Sequence, residues 1–195
     1  SVNFKYESVN VAIRDSVIHF GDLSRAISGD AKNLAVFLSP TDTKTVEGET
    51  RYKFDLTSTD GNFVYDTKAV EKIDIRAVGI ADNKGAEIQK LDIGTPLGEM
   101  ALSGTLTDWA APRYELDITS MVDLTQTSMT FATGTALRGV GNFTGHVSGQ
   151  GENYRVEGTV DSEALRADGV YLKALNVAAT VEGTNSNYTA NGTAV

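Results

Sequence analysis

The sequence predicts an all-β chain with little helix, and three observations predict it. Apolar and polar residues alternate with period two along most of the 195 residues. Clusters of Gly, Asn, Asp and Ser recur between the alternating runs. Proline, which cannot donate to a strand ladder, occurs only three times. At roughly one strand per 10–12 residues the chain would hold about sixteen strands.

The elements follow in order. NFKYESVNVAIRD already alternates like a strand at the start. LSRAISGDAKNLAVFL, residues 23–38, is the only stretch that could pass for a helix, but Gly29 and Asp30 interrupt it, so strand and loop are expected there too. STDGN (58–62) reads as a turn. Ile73, Ile75 and Ala77 alternate against Asp74 and Arg76. ADNKGA (81–86) reads as a hairpin turn, because Asn and Gly tolerate positive φ. DWAAPR (108–113) is a longer loop. RYELDITSMVDL gives the cleanest strand: Tyr114, Leu116, Ile118, Val122 and Leu124 share one face, broken only by Ser120. SGQGEN (148–153) and GTNSN (183–187) are turns, with YRVEGTV and the Leu175, Val177, Ala179, Val181 run between them. NYTANGTAV closes the chain inside another strand pattern. Nothing marks an internal boundary, so residues 1–195 are expected to form one all-β segment of a longer protein.

A glycine recurs within the apolar stripes, in the pattern apolar–x–Gly–x–apolar. Gly104 lies between Leu102 and Leu106, Gly145 between Phe143 and Val147, and Gly158 between Val156 and Val160. Gly183 follows Val181, with Asn185 breaking the pattern at its last place. Glycine inside a strand packs nothing and loses backbone entropy. Two explanations stand side by side: a bend or bulge where the strand turns a corner, or clearance in an apolar trough that something else occupies. The spacing by itself favours the bend. A sheet bent along a line of glycines would form a gutter, so the two are compatible. Parity then makes Leu116, Ile118, Phe143, Val147, Val156, Val160, Leu175, Val177 and Val181 the candidate lining of that gutter.

Composition excludes several functions. The net charge of −9 disfavours nucleic acid, which requires a basic stripe to displace counterions. There are no cysteines, hence no disulfides, thiolate metal sites or cysteine nucleophiles. His19 and His146 are the only histidines and do not supply a zinc ligand set; His146 is expected on the polar face of its strand. No Gly-x-Ser-x-Gly elbow occurs, and GVGNFTG and SGQGENY are not dinucleotide fingerprints. No enzyme, cofactor or metal is expected. Trp109 is expected to cover a bend or to stand at a rim. No apolar run is long enough to span a bilayer as a helix.

The runs MALSGTLTDWAAPRYELDI (100–118) and LRGVGNFTGHVSGQGENYRVEGTVDSEALRADGVYLKALNVAATVEG (137–183), with LDIGTPLGEM (91–100) upstream, resemble AsmA/TamB-like envelope proteins. The resemblance covers residues 70–195 well and 1–70 in general character. It implies a long curved antiparallel or mixed sheet folded into a U-shaped groove, the β-taco. It implies a protein anchored in the inner membrane and reaching through the periplasm. Its function would be to conduct phospholipid tails between inner and outer membrane, or to act as a scaffold in outer-membrane β-barrel assembly, with a barrel protein as partner. The physics of the first is direct. A chain of about fifteen methylenes costs on the order of 12 kcal/mol to expose to water, at about 0.8 kcal/mol each, and an apolar gutter removes most of that cost. A closed sandwich or solenoid with a filled interior, as in an adhesin or glycan-binding protein, is the rival architecture.

Overall fold

The computed structural model describes residues 9–22, 26–132, 134–184 and 187–194; Asn185 and the first six residues of the opening strand pattern, 3–8, lie outside them. In chain order the elements are β1 (Val11–Asp22), β2 (Ile27–Lys44), β3 (Thr50–Tyr65), β4 (Lys68–Ala81), β5 (Gly85–Thr95), β6 (Gly98–Thr107) and β7 (Arg113–Asp123). There follow α1 (Leu124–Phe131), β8 (Leu137–Arg138), β9 (Val140–Gln150), β10 (Asn153–Ser162), β11 (Leu165–Ala167), β12 (Val170–Leu172), β13 (Leu175–Gly183) and β14 (Tyr188–Ala194). Eleven strands form one antiparallel sheet in the order β1-β2-β3-β4-β5-β6-β7-β9-β10-β13-β14. Each strand pairs with the next main-sheet strand in sequence, so the topology is a meander with two excursions. Those excursions leave the same end of the sheet, after β7 and after β10. They meet as a three-stranded sheet in the order β12-β11-β8.

The structure has fewer and longer strands than turn spacing predicts. STDGN is not a turn between strands but lies inside β3, and Gly29 and Asp30 lie inside β2. The reason is a line of bulges. Asp15, Asn33, Asp60 and Lys72 all have left-handed φ, between 46° and 57°, and they fall on four successive strands. Ladder register shifts near Asp15, between Ile13 and Ser16, and at Asp60, between Ser58 and Gly61. Side chains stitch the line together. Asn33 Nδ2 donates to the Thr59 carbonyl at 3.3 Å, Ser58 Oγ donates to the Lys32 carbonyl at 2.7 Å, and the Asp60 N–H donates to Asp74 Oδ1 at 3.0 Å. A residue in the left-handed region absorbs one extra position, and the strand continues, bent and more twisted. Ser58 and Leu34, 1% and 3% exposed, are buried beside this crease. With eleven strands about 4.8 Å apart, the sheet measures about 48 Å between its edges, against about 75 Å for sixteen.

The helix lies where the strand RYELDITSMVDL was expected to continue. β7 ends at Asp123, and Leu124 begins α1. Asp123 is the N-cap: its Oδ1 accepts from the N–H of Thr125 at 2.8 Å and of Gln126 at 3.0 Å. This satisfies two of the donors that a helix start leaves unpaired. Ala132, with φ 49°, closes the helix in the left-handed region. Asp123→Ala is therefore expected to cost about 1 kcal/mol, read as a lower urea midpoint at unchanged slope. Leu124 lies on the apolar side of the sheet over Gly141, where a Cβ would stand 3.6 Å from its Cδ2.

Candidate functional site: the apolar face of the sheet

Residues paired across a ladder share a face, so register converts parity within single strands into rows across the sheet. Leu116, Val147, Val156 and Val181 form one continuous row over β7, β9, β10 and β13. Gly104 stands beside Leu116 on β6, and Ala190 beside Val181 on β14. The next row is Ile118, Gly145, Gly158, Ala179 and Gly192. The third is Ser120, Phe143, Val160 and Val177. Leu175 pairs with Ser162 one step further along, and Gly183 with Tyr154 at the other end. All nine candidate lining residues and all four glycines thus lie on one face. Eight of the nine are half-buried, and Val160 is 40% exposed.

The same face continues where sequence reading named no lining. Leu102 and Ile93 extend it through β6 and β5, Ile75 and Leu56 through β4 and β3, and Val36 and Ile13 through β2 and β1. Alternation in KFDL and in NLAVFL carries that signal within each strand. The bulges break the period between strands, which hides the common face. Among the described residues only α1 packs on this side, with Leu124 over Gly141 and the helix also against β4, and Leu34 and Val70 are the only buried hydrophobic side chains. The chain presents 12895 Å² of accessible surface, against about 9000 Å² for a compact protein of its mass.

The glycines have specific neighbours. A Cβ on Gly158 would stand 2.5 Å from the Thr144 carbonyl and 2.7 Å from Phe143 Cε2. One on Gly145 would stand 2.6 Å from Phe143 Cζ and 2.9 Å from Gly158 Cα. Both distances are far inside contact, so the space over these two glycines holds the Phe143 ring and the facing backbone. Gly104 has φ +144°, and a Cβ there would lie 2.9 Å from Leu116 Cα. At Gly183 it would lie 2.9 Å from Tyr188 Cα. The aromatic-over-glycine arrangement recurs in directly paired positions: Phe20 over Gly29, Phe54 over Gly79 and Tyr114 over Gly149. Each ring covers backbone that the glycine leaves bare, a known way of supporting glycine in sheets. Cross-strand pairs of this kind cannot be read from one strand's sequence.

The opposite face is mainly polar, with Phe37, Val78, Ile80 and Met121 among its apolar members. His146 lies there, with Nδ1 2.9 Å from Asp117 Oδ1 and Nε2 2.8 Å from Glu115 Oε2. Hydrogen bonds to Asp117 first and Glu115 second hold its pKa above the usual imidazole value. The folded state therefore favours the protonated form. This cross-strand tie is fully present below the ordinary value of about 6.5 and is lost as pH rises through the raised folded value. An NMR titration of His146 should give a midpoint above that of unfolded histidine, and Asp117→Asn should lower it. On the same face Arg155 pairs with Glu157 at 2.8 Å and with Glu182. His19 Nδ1 lies 2.5 Å from Asp30 Oδ1, and Asp30 also accepts from Asn62 Nδ2 at 3.0 Å. Asn62 and then His19 hold the Asp30 carboxyl below its ordinary range. Open dishes of about 590 to 800 Å³ lie chiefly between these polar side chains, the largest bordered by Arg113, Glu115, Arg155 and Glu182.

Trp109 stands in the β6–β7 loop and donates its Nε1–H to the Asp82 carbonyl at 3.0 Å. It ties that loop to the β4–β5 turn and remains 49% exposed. No group of three or more metal-ligating side chains occurs among the described residues. No helix among them is long and apolar enough to cross a membrane. Comparison of the chain with protein-family profiles, curated proteins and solved structures finds no match in any of the three.

Proposed function

We propose that this chain is a non-enzymatic segment of a periplasmic lipid conduit of the AsmA/TamB-like kind, whose apolar face carries phospholipid acyl chains. One observation carries the reading: a single apolar face runs over eleven strands and, among the described residues, only α1 packs on it, at one end. In water such a face is costly at about 25 cal/mol per Å², and an acyl chain laid along it relieves protein and lipid together. On this reading the sheet folds towards that face into a U, with Gly104, Gly145, Gly158 and Gly183 where a side chain would obstruct the neighbouring backbone. The small-residue row from Gly145 to Gly192 would be the floor, with Val147, Val156 and Val181 on one side and Phe143, Val160 and Val177 on the other. The headgroup would stay at the open, wet rim. On this reading the segment belongs to a chain anchored in the inner membrane, and lipid passes across its strands towards the outer membrane.

The experiment is photocrosslinking with a benzophenone side chain placed at one position at a time, in the presence of phospholipid vesicles. Positions 116, 118, 147 and 156 should capture acyl chains, and positions 115, 117, 148 and 155 should not. Capture without alternation would remove the reading.

A second reading is favoured by a different observation. β1 and β14 are sheet edges with no partner strand among the described residues. Such edges can take up an extended client segment by β-augmentation, as a scaffold for outer-membrane barrel strands would. Binding of a barrel-strand peptide that leaves lipid capture unaffected would favour it.

A further inference from the structure

Arginines of the main sheet stand opposite carboxylates: Arg76 faces Asp92 and Arg155 faces Glu182 across their ladders. The three-stranded sheet departs from this. Arg138 on β8 stands directly opposite Arg166 on β11, and Arg166 directly opposite Tyr171 on β12. Like charges directly opposite one another destabilise a ladder. Acidic residues outnumber basic ones 26 to 17 in this chain, so the pair does not reflect a shortage of carboxylates. Among the described residues neither arginine makes an ion pair. Asp168, two residues after Arg166, instead accepts the Ala136 N–H at 3.2 Å.

The row faces solvent. Leu137, Leu165 and Ala167, on the other side of the small sheet, are half-buried, whereas Arg138, Arg166 and Tyr171 are exposed. The Arg166 guanidinium carbon lies 5.4 Å from the centre of the Tyr171 ring, a cation–π contact that orients its fork of donors. Opposite residues hold their Cβ atoms about 5 Å apart, so both guanidinium groups can converge on one group set between them. Each presents a planar, permanently charged fork that matches the oxygens of a phosphate. A phosphate there would turn one repulsive pair into two charge-assisted ones.

We propose that Arg138 and Arg166, with Tyr171 backing Arg166, form a binding site for a phosphate group. The claim is independent of the lipid reading, because it concerns a phosphate and not acyl chains. It is tested by NMR of the arginine side-chain N–H signals during titration with inorganic phosphate, against chloride at equal ionic strength. Phosphate should shift the Arg138 and Arg166 signals together and saturably, and chloride should not. Arg138→Gln and Arg166→Gln, checked for folding by circular dichroism, should each weaken phosphate binding by about fivefold or more. Arg76→Gln should leave it unchanged. Co-sedimentation with phosphatidylglycerol vesicles separates the two sources of such a group. Sedimentation that the double variant Arg138→Gln/Arg166→Gln loses assigns the phosphate to a lipid headgroup. Phosphate binding without sedimentation of that kind assigns it to a soluble phosphate compound. Signals that do not move with phosphate, that move equally with chloride, or that bind phosphate as tightly in both glutamine variants overturn the proposal.

Discussion

Gly158→Val is expected to destabilise the protein by about 3 kcal/mol, at the upper end of overpacking costs. The new Cβ would stand 2.5 Å from the Thr144 carbonyl and 2.7 Å from the Phe143 ring. The carbonyl belongs to a ladder and cannot move alone. The ring can, so the penalty should be smaller in a Phe143→Ala background, by about 1 kcal/mol, since touching residues couple. Gly94 is the control: nothing lies within 4 Å of a Cβ placed there. Gly94→Ala should change stability by less than about 0.5 kcal/mol. Urea denaturation of the four variants measures this. If Gly158→Val unfolds at the wild-type midpoint, the close approach of β9, β10 and the Phe143 ring is not what requires glycine there.

Val156→Asp and Val177→Asp should leave the protein folded and weaken capture of acyl chains by about tenfold or more, which corresponds to 1.4 kcal/mol. Val156 stands between Val147 and Val181, and Val177 beside Val160, on the apolar face. A carboxylate there keeps water while the face is open, so folding tolerates it. An acyl chain laid over it would strip that water at a cost of several kcal/mol. Thr159→Asp, on the polar face between Thr144 and Ala178, is the matched control and should capture lipid as the wild type does. Loss of fold in the two valine variants would mean that these side chains form a filled core.

Much of this architecture was legible because period-two alternation survives wherever the ladder is regular. From β6 to β13 the apolar stripes align row by row, and Leu116, Val147, Val156 and Val181 are recoverable by parity within each strand. The first four strands were not legible in the same way. A left-handed residue at Asp15, Asn33, Asp60 or Lys72 shifts the period by one, so STDGN looks like the end of a strand when it is a kink within one. Asp60 and Gly61 serve a turn and a bulge equally well, and only the partner strand decides between them. Helix α1 was hidden for a related reason. Leu124 fits the strand parity of Tyr114 to Val122, while the carboxylate of Asp123 captures two N–H groups and redirects the chain. The identity of the side chain over Gly158 required register, because Phe143 belongs to the neighbouring strand.

The central claim is that the apolar face holds lipid. Its most direct test is native mass spectrometry of the protein purified from cells with a two-membrane envelope, without detergent. The account predicts phospholipid that survives purification, leaves with organic extraction and returns on incubation with vesicles. A folded protein that carries no lipid, and takes up none from vesicles, would contradict it.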